Sequence, residues 1–386
     1  MKIAVVGAGI VGVSIAAAVA ARGAEVVLLD RQPAGSGTSS TSFAWVNSNN
    51  KHPDPYYELN LAGMRAHHKL AANDGDWFHP TGHVELAVDS EHRKELQQRL
   101  KRLVSLGYIA KLPDTKQTVQ LIPDLKLPPA RESTTAFYPF EAHVDPARYV
   151  EKRLERAAEL GVTFLSPVDV RSLEPCNQGC LLGFDDDSSI LFDRVVTATG
   201  RWTNEIAKMA GLPPFMLEFQ GPGDPTMGYL AITNPLPVSL GRVLTSPRLN
   251  VRPAPGGRLI LQALDLDATA EVGHQPAVDS WLAKEYIGRL QEILANTSDA
   301  RIEEIQVAQR AIPRDGLSII GAPMDKPWLY LAATHSGVTL APFLGERVAA
   351  EIFGEVEPLF ESFRPDRLLR PSNVPIFAAP RRPGEQ

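Results

Sequence analysis

Residues 2–12 read KIAVVGAGIVG, an alanine-rich run continues to Gly23, and residues 24–30 read AEVVLLD. This order of strand, glycine turn, helix, strand and acid is typical of a βαβ unit that binds a dinucleotide. Gly7 would permit the tight turn, Gly9 would let the backbone approach a pyrophosphate, and Gly12 would let helix and strand pack closely. The helix beginning near Ile10 would direct N–H groups at the phosphates, and Asp30 would accept hydrogen bonds from ribose hydroxyls.

The same stretch also has features of a secretory signal, because Lys2 precedes a charge-free run from Ile3 to Ala21. Its length alone would also allow a transmembrane helix. Three glycines interrupt the apolar run, however, and the pattern continues into a second strand that ends in an acid. We therefore expect this segment to be folded and retained.

Composition narrows the class of protein. The chain has 386 residues, enough for two domains or one large one, with 44% hydrophobic and 22% charged residues. A net charge of −6 argues against nucleic acid as a partner. The two cysteines, Cys176 and Cys180, make neither a disulfide framework nor a metal site, so we expect structural thiols and no metal. A cytoplasmic location fits this cysteine usage.

Local patterns predict the remaining elements. Helices are predicted at 56–70, from a Ser90 cap to Gly107, from an Asp145 cap with Pro146 to Gly161, at 280–296 and at 338–353. Strands are predicted at 77–88, once within 162–173, as a hairpin at 181–184 and 190–192, and at 194–200, 229–233, 249–252, 259–263 and 328–333. The proline-rich stretch 113–129 is predicted to be loop. Residues 31–50 are rich in Gly, Ser and Thr and leave the second strand beside the predicted phosphate site.

Five motifs in order resemble the D-amino-acid oxidase superfamily of FAD enzymes, nearest the branch with glycine oxidase, sarcosine oxidase and D-amino-acid dehydrogenase. They are the opening glycine motif with its acid, the Thr38-Ser39-Ser40 loop, Val144-Asp145-Pro146, Ala198-Thr199-Gly200, and Arg310 to Gly321 with His335-Ser336-Gly337. The chain departs from the family at Thr334, where glycine is more common.

The resemblance implies an α/β fold: a Rossmann-like FAD-binding domain of the glutathione-reductase type with an inserted α+β antiparallel-sheet substrate-binding domain. The expected FAD-binding domain is discontinuous and comprises 1–75, 140–212 and 307–375. The substrate-binding domain comprises 76–139 and 213–306, and 376–386 is a flexible tail. Residues 310–345 contain no cysteine and 31–50 no histidine, so non-covalent FAD is expected.

The resemblance also implies the site residues. The expected cofactor-binding residues are Gly7, Gly9, Gly12, Asp30, Arg31, Thr38, Ser39, Ser40, Val168, Val170, Thr199, Gly200, Gly337, Val338 and Thr339. Arg310, six residues before Gly316, would hold the substrate carboxylate through two parallel hydrogen bonds, with Arg314 as the nearby comparison. His335 would border flavin or substrate, although a structural role fits it equally well. Further pocket candidates are Trp45, Asn47, Tyr56, Tyr57 and Tyr229.

The function implied is FAD-dependent oxidation of a small amino acid (a D-amino acid, glycine or N-alkyl glycine, or a cyclic secondary amino acid) to the imino acid by hydride transfer from Cα–H to flavin N5. Oxygen or a quinone-type carrier would accept the electrons. Three alternatives stay open: oxidation of a natural-product or other amine without a carboxylate, an NAD(P)-dependent dehydrogenase, and a non-catalytic flavin-binding subunit. The sequence also leaves open a peripheral membrane or subunit association.

Overall fold

The computed structural model describes residues 1–72, 75–129 and 133–369, and the predicted tail 376–386 lies outside these residues. Its strands are β1 (Lys2–Val6), β2 (Glu25–Leu29), β3 (Trp45–Val46), β4 (Phe78–His79), β5 (His83–Ala87), β6 (Thr134–Tyr138), β7 (Ala142–Val144), β8 (Thr163–Leu165), β9 (Val170–Cys176), β10 (Gly179–Phe184), β11 (Ser189–Phe192), β12 (Arg194–Thr197), β13 (Met227–Thr233), β14 (Val243–Thr245), β15 (Asn250–Ala254), β16 (Arg258–Gln262), β17 (Ile302–Gln309), β18 (Ile319–Gly321) and β19 (Leu329–Ala333). The helices are α1 (Ile10–Ala21), α2 (Asp54–Ala71), α3 (Ser90–Ser105), α4 (Thr115–Leu121), α5 (Pro146–Glu159), α6 (Thr203–Met209), α7 (Trp281–Ile293) and α8 (Gly337–Ile352).

A six-stranded sheet in the order β18-β19-β12-β1-β2-β8 forms the first layer of the fold. All its neighbours pair in parallel except β18, which runs antiparallel to β19. Successive side chains of β1 alternate between two buried faces, as strand geometry requires. Ile3 and Val5 pack among residues of α1 and α8, whereas Ala4 and Val6 pack against the β9–β11 hairpin sheet. Burial on both faces explains why the strand reads as an unbroken apolar run.

A seven-stranded sheet in the order β17-β13-β16-β15-β14-β5-β6 forms the second layer, with α7 packed on it. Its pairs are antiparallel except β14 with β5, which are parallel. A small sheet has the order β3-β7-β4, and its strands alternate along the chain with strands of the two large sheets. The predicted fold class, a Rossmann-like α/β layer with an additional largely antiparallel sheet, is therefore confirmed. The exact domain boundaries remain predictions.

Two helix predictions need correction. The cap of α3 is Asp89 and not Ser90, because the Asp89 carboxylate accepts the His92 N–H at 2.7 Å. The stretch predicted as loop contains α4, whose Asp114 side chain accepts the Gln117 N–H while the Gln117 side chain accepts the Asp114 N–H. This reciprocal capping box stabilises a short helix that the surrounding prolines obscured.

Two strand predictions also change, and one strand was missed. The strand expected at 77–88 is broken into β4 and β5 around Gly82, whose φ of 81° turns the chain. The segment 162–173 holds β8 and the start of β9 and not one strand. Strand β14 was not predicted at all. Its three residues are too short for an alternating pattern to be recognised.

Candidate functional site

A large cavity of about 1650 Å³, including open solvent at its mouth, runs between the glycine turn after β1 and the second sheet. It brings together most of the predicted site residues: Gly7, Gly9, Asp30, Arg31, Thr38, Ser39, Val168, Val170, Thr199, Gly200, Arg310, His335, Gly337, Val338 and Thr339. Gly12 and Ser40 lie outside its wall. The carboxyl ends of the parallel strands β1, β2 and β12 meet at this cavity, the usual place for a ligand in such a sheet.

The glycines after β1 leave room that side chains would fill. Gly7 has a φ of 103°, and a Cβ there would lie 2.6 Å from the Ala198 carbonyl oxygen. A Cβ on Gly12 would lie 1.7 Å from the carbonyl oxygen of Gly7. Gly12 therefore acts through packing of α1 on the turn, whereas Gly9 lines the cavity itself. This cradle at the start of α1 fits a diphosphate.

Asp30 is tied to the glycine turn. Its Oδ2 accepts the Ala8 N–H at 2.7 Å, and its Oδ1 accepts the Gln32 N–H at 2.9 Å. The carboxylate therefore braces the turn against the end of β2 while facing the cavity. Its contact with a ribose remains a prediction.

The hydroxyl residues after β2 divide into different roles. Ser39 Oγ accepts the Ile10 N–H at 3.0 Å, so the loop after β2 is bonded to the first turn of α1. Thr38 Oγ1 donates to the Gln309 carbonyl at 2.7 Å, next to Arg310. Ser40 instead donates to carbonyls of its own loop. Thr38 and Ser39 thus connect three parts of the site, and Ser40 stabilises the loop locally.

Trp202 is a cavity residue that the sequence analysis did not identify. Its ring lies between two guanidinium groups, with Arg201 3.8 Å and Arg31 4.8 Å from the ring centroid. Burial and the nearby Arg31 lower the pKa of Arg201 to about 10. Arg31 and Trp202 form part of the cavity wall near the predicted phosphate loop.

The turn before α8 is held by a chain of buried hydroxyls. Tyr56 OH and Ser336 Oγ lie 2.7 Å apart, the Ser336 N–H donates to Thr334 Oγ1 at 3.1 Å, and Thr334 Oγ1 lies 2.7 Å from Ser318 Oγ. Thr334, the departure from the family pattern, therefore fixes the turn through its side chain. His67 Nε2 donates to the Val338 carbonyl at 2.7 Å. These bonds hold the positive end of α8 at the cavity.

Arg310 follows β17 and is one of the residues that line the cavity. Its Nη1 donates to the carbonyls of Pro225 at 3.1 Å and Met227 at 2.7 Å, and its Nη2 donates to the Asp267 carboxylate. Asp267 is buried, and its Oδ1 accepts the Tyr229 N–H at 2.8 Å. Desolvation raises the pKa of Asp267, and Arg310 opposes that rise. The sequence pattern predicted the arginine but not this counter-ion.

His335 stands at the same end of the cavity. Burial, followed by the charges of Lys51 and Arg310, lowers its pKa to about 3. Its imidazole is therefore neutral at physiological pH. It can offer one donor and one acceptor there but no positive charge.

The other aromatic and amide candidates separate into two groups. Trp45, Asn47 and Tyr229 line the cavity. Tyr56 acts behind the wall through Ser336, and Tyr57 packs near Tyr108, so neither lines it. Lys51 and Gln262 line it without having been predicted. Lys51 follows a polar loop in sequence and Gln262 ends a strand, and neither pattern marks a site.

A glycine cradle, an acid and two helix N-termini around one cavity define a dinucleotide-binding protein. The chain belongs to the DAO family, described as FAD dependent oxidoreductase, whose model matches residues 2–351. Its cofactor is therefore FAD, and the NAD(P) alternative is wrong. The described residues lining the cavity include no cysteine. Cys176 and Cys180 are free thiols at the β9–β10 turn.

The chain is similar to several known members of this family. It is 24% identical over 365 residues to glycine oxidase of Bacillus licheniformis, covering 91% of this chain and 92% of that protein. The crystal structure of glycine oxidase from Geobacillus kaustophilus has a TM-score of 0.83 at 18% identity and covers 96% of this chain and 99% of that one. Iminodiacetate oxidase from a Chelativorans species has a TM-score of 0.79 at 20% identity, with 94% and 98% covered. The two structures share the fold, and the chain resembles the glycine oxidase branch.

Among the described residues, no helix has both the length and the apolarity needed to cross a membrane. The cytoplasmic location stays a prediction.

Proposed function

We propose that the chain oxidises a small amino acid at its CH–NH bond to the imino acid, with the substrate carboxylate held by Arg310. The substrate would be a D-amino acid, glycine or an N-alkyl glycine, or a cyclic secondary amino acid. The observation that carries this proposal is the position of Arg310, a residue that lines the same cavity as the start of α8. A cation and a helix N-terminus there favour an anionic ligand.

The guanidinium retains donors for such a ligand. The two hydrogens of Nη1 match the carbonyls of Pro225 and Met227, and one hydrogen of Nη2 matches Asp267. Within the described contacts, this leaves the Nε hydrogen and one Nη2 hydrogen. These are the donors that would bind a carboxylate.

FAD, when bound, would accept the hydride from the substrate Cα. The residues of this chain supply position and electrostatics. Arg310 would fix the carboxylate and hence the direction of the Cα–H bond. The start of α8, held by Thr334, Ser336 and His67, would place backbone N–H groups where negative charge develops.

The relatives support the substrate class through the compounds in their names. Glycine and iminodiacetate each carry an amine separated from a carboxylate by one carbon. Arg310 and Asp267 together suit this arrangement, because Asp267 keeps the guanidinium oriented before the substrate arrives. Oxygen or a quinone-type carrier would then accept the electrons from the reduced flavin.

The direct test is anaerobic mixing of the FAD-loaded protein with D-amino acids, N-methyl amino acids and cyclic amino acids. Loss of the flavin absorbance band with at least one of them supports the proposal. If none bleaches the band, while an amine lacking a carboxylate does, a different class of substrate is indicated and the proposal fails. If nothing bleaches it, a non-catalytic flavin-binding role gains support.

A further inference from the structure

The two faces of β13 in the seven-stranded sheet pack against different parts of the chain. Tyr229 belongs to the core that includes α7, whereas its neighbour Leu230 belongs to a small apolar cluster with Phe43, Trp45 and Val243. Such alternation is expected because successive side chains of a strand point to opposite faces. Phe43, Trp45 and Leu230 also line the cavity. We call these three residues the apolar patch.

The Arg310 guanidinium lies on the same face of β13 as Leu230. A Cβ added at Gly228 would collide with Arg310 Nη2, so the guanidinium covers the place where a side chain of Gly228 would begin. Gly228 and Leu230 are two residues apart in β13 and therefore share a face. Two residues of a strand span about 6–7 Å. The apolar patch therefore begins one short step along the strand from the group proposed to hold the substrate carboxylate.

The two aromatic residues of the apolar patch are held in place by hydrogen bonds to other parts of the protein. Trp45 Nε1 donates to the fully buried Glu141 carboxylate at 2.9 Å, and the Trp45 carbonyl accepts Thr339 Oγ1 at 3.3 Å. The Phe43 carbonyl accepts Arg252 Nε from β15. The indole N–H is therefore already bonded to the protein, and the rings are positioned before a ligand binds.

We infer that the apolar patch binds the substituent that distinguishes the substrate from glycine, so that the preferred substrate carries an apolar side chain, ring or N-alkyl group. This inference rests on the proposed function and specifies its substrate class. The substituent of an amino acid is attached to the carbon next to the carboxylate, or to the amine on that carbon. A carboxylate on Arg310 therefore brings the substituent within reach of Leu230. Burial of an apolar group there is favourable, whereas a polar group would lose its hydrogen bonds to water.

A polar lining residue beside the apolar patch sets the alternative that the experiment must separate. Gln262 lines the cavity, and its Oε1 accepts Asn250 Nδ2 at 3.1 Å from the neighbouring strand. Recognition of a polar substituent by such an amide would give the opposite preference among substrates of equal shape.

Two pairs of amino acids of nearly equal shape test the inference. D-leucine is compared with D-asparagine, and N-isobutylglycine with N-(carbamoylmethyl)glycine, by anaerobic titration of the flavin absorbance in the FAD-loaded full chain. Glycine, which has no substituent, is the reference. The variants are Leu230→Ala and, as a control, Val243→Ala, since Val243 belongs to the same cluster but is not among the described residues that line the cavity. Flavin content and unfolding temperature are measured for each variant.

In the wild type, at least one apolar compound should half-bleach the flavin at a concentration about 10-fold or more below that of its polar partner, and the pair that responds identifies the position of the substituent. Leu230→Ala should raise the dissociation constant of that apolar compound on the order of 10-fold, because contact with two or three carbon atoms is lost. The value for glycine should change by less than about 3-fold. Val243→Ala should lower the unfolding temperature but retain the preference.

A wild type that binds the polar members or glycine as tightly as the apolar members would overturn the inference. Equal weakening of all compounds by Leu230→Ala would overturn it as well, because Leu230 would then act on a feature common to every substrate. In either case the bleaching itself would leave the proposed function standing. If Leu230→Ala lost FAD, Leu230→Val would decide, with a reduction of the preference by about 3-fold expected and an unchanged preference overturning the inference. Absence of bleaching by every amino acid would remove the proposed function and this inference together.

Discussion

Arg310 and Asp267 form an ion pair in the cavity wall, and the same Asp267 carboxylate accepts the Tyr229 N–H at 2.8 Å. The side chains are 15% and 8% exposed, so the pair is largely removed from water. The cationic group proposed to bind substrate is therefore oriented before any ligand is present. Such preorganisation reduces the ordering cost of binding.

Replacing Arg310 with leucine should weaken substrate binding by about 2–5 kcal/mol, because a desolvated charge pair is broken. FAD should stay bound, since the glycine turn is unchanged. The measurement is the substrate concentration that half-bleaches the flavin, with Arg314→Leu as the control. Unchanged titration in Arg310→Leu would remove this residue from the site.

Replacing Asp267 with asparagine should lower the free energy of unfolding by about 1–3 kcal/mol, because the partly buried guanidinium loses its counter-ion. A simple carboxylate such as acetate should then raise the unfolding temperature more in this variant than in the wild type. The added anion would supply the missing charge. An equal temperature shift in both proteins would argue against carboxylate binding by Arg310.

Gly228 offers a way to displace the guanidinium without removing its charge. A Cβ there would lie 2.2 Å from Arg310 Nη2 and 2.7 Å from Asp267 Oδ2. Gly228→Ala should therefore raise the substrate dissociation constant about 10-fold or more at unchanged FAD content, as expected for a misplaced binding group. The control is Gly288→Ala in α7, where a Cβ would meet nothing within 4 Å. That change should stabilise the helix by up to about 1 kcal/mol.

The free energy of unfolding should fall in mild acid, because three histidines are desolvated in the folded chain. Burial lowers the pKa of His67 to about 4, of His143 to about 2 and of His335 to about 3. Since the unfolded pKa is about 6.5, the unfolded chain gains protons that the folded chain does not as pH falls below that value. The contribution to stability is complete above pH 6.5 and is lost progressively towards the folded pKa values.

Between pH 7 and 5.5 the free energy of unfolding should fall by roughly 1 kcal/mol for each of these histidines. Urea unfolding of the FAD-loaded protein at the two pH values measures the change. His67→Gln should show a smaller dependence, whereas substitution of the exposed His274 should leave it unchanged. An identical dependence in wild type and His67→Gln would contradict the assignment.

Substitutions at two glycines after β1 should have different effects, one on folding and the other on FAD binding. Gly12→Ala should disturb folding itself, because the added Cβ would lie 1.7 Å from the carbonyl oxygen of Gly7. Gly9→Ala should fold but bind FAD more weakly, because its Cβ meets Ser39 Oγ at 3.2 Å and projects towards the proposed phosphate site. Soluble yield and FAD content separate the two. Equal FAD content in Gly9→Ala and wild type would rule out close backbone approach there.

Thr334→Val should cost about 1 kcal/mol in the free energy of unfolding, since its Oγ1 accepts the Ser336 N–H and contacts Ser318 Oγ. The substrate titration should also shift, because the turn before α8 would lose its internal support. Thr334→Ser, which keeps the hydroxyl, should behave like the wild type. If valine and serine variants were indistinguishable, the hydroxyl chain would have no role.

The sequence-based prediction was accurate for elements that are stabilised by interactions between residues close in sequence. The opening βαβ unit and the α5 helix after Asp145 follow from local strand, turn and capping chemistry, and both are present. One local prediction was wrong: the prolines within 113–129 indicated a loop, but Asp114 and Gln117 form the capping box of α4. The short β14 had no pattern of its own, because it is defined by its neighbours β5 and β15.

The sequence by itself determined the glycine turn, its acid and the family motifs, because these are short-range requirements for backbone conformation and spacing. Only the tertiary structure revealed that Asp267 is the counter-ion of Arg310, 43 residues away, and that Lys51 and His335 line the same cavity. Asp267 follows β16 and Arg310 follows β17, so these charges become neighbours only when the seven-stranded sheet has assembled. No local pattern records such a contact, because its energy depends on burial and distance in the folded chain.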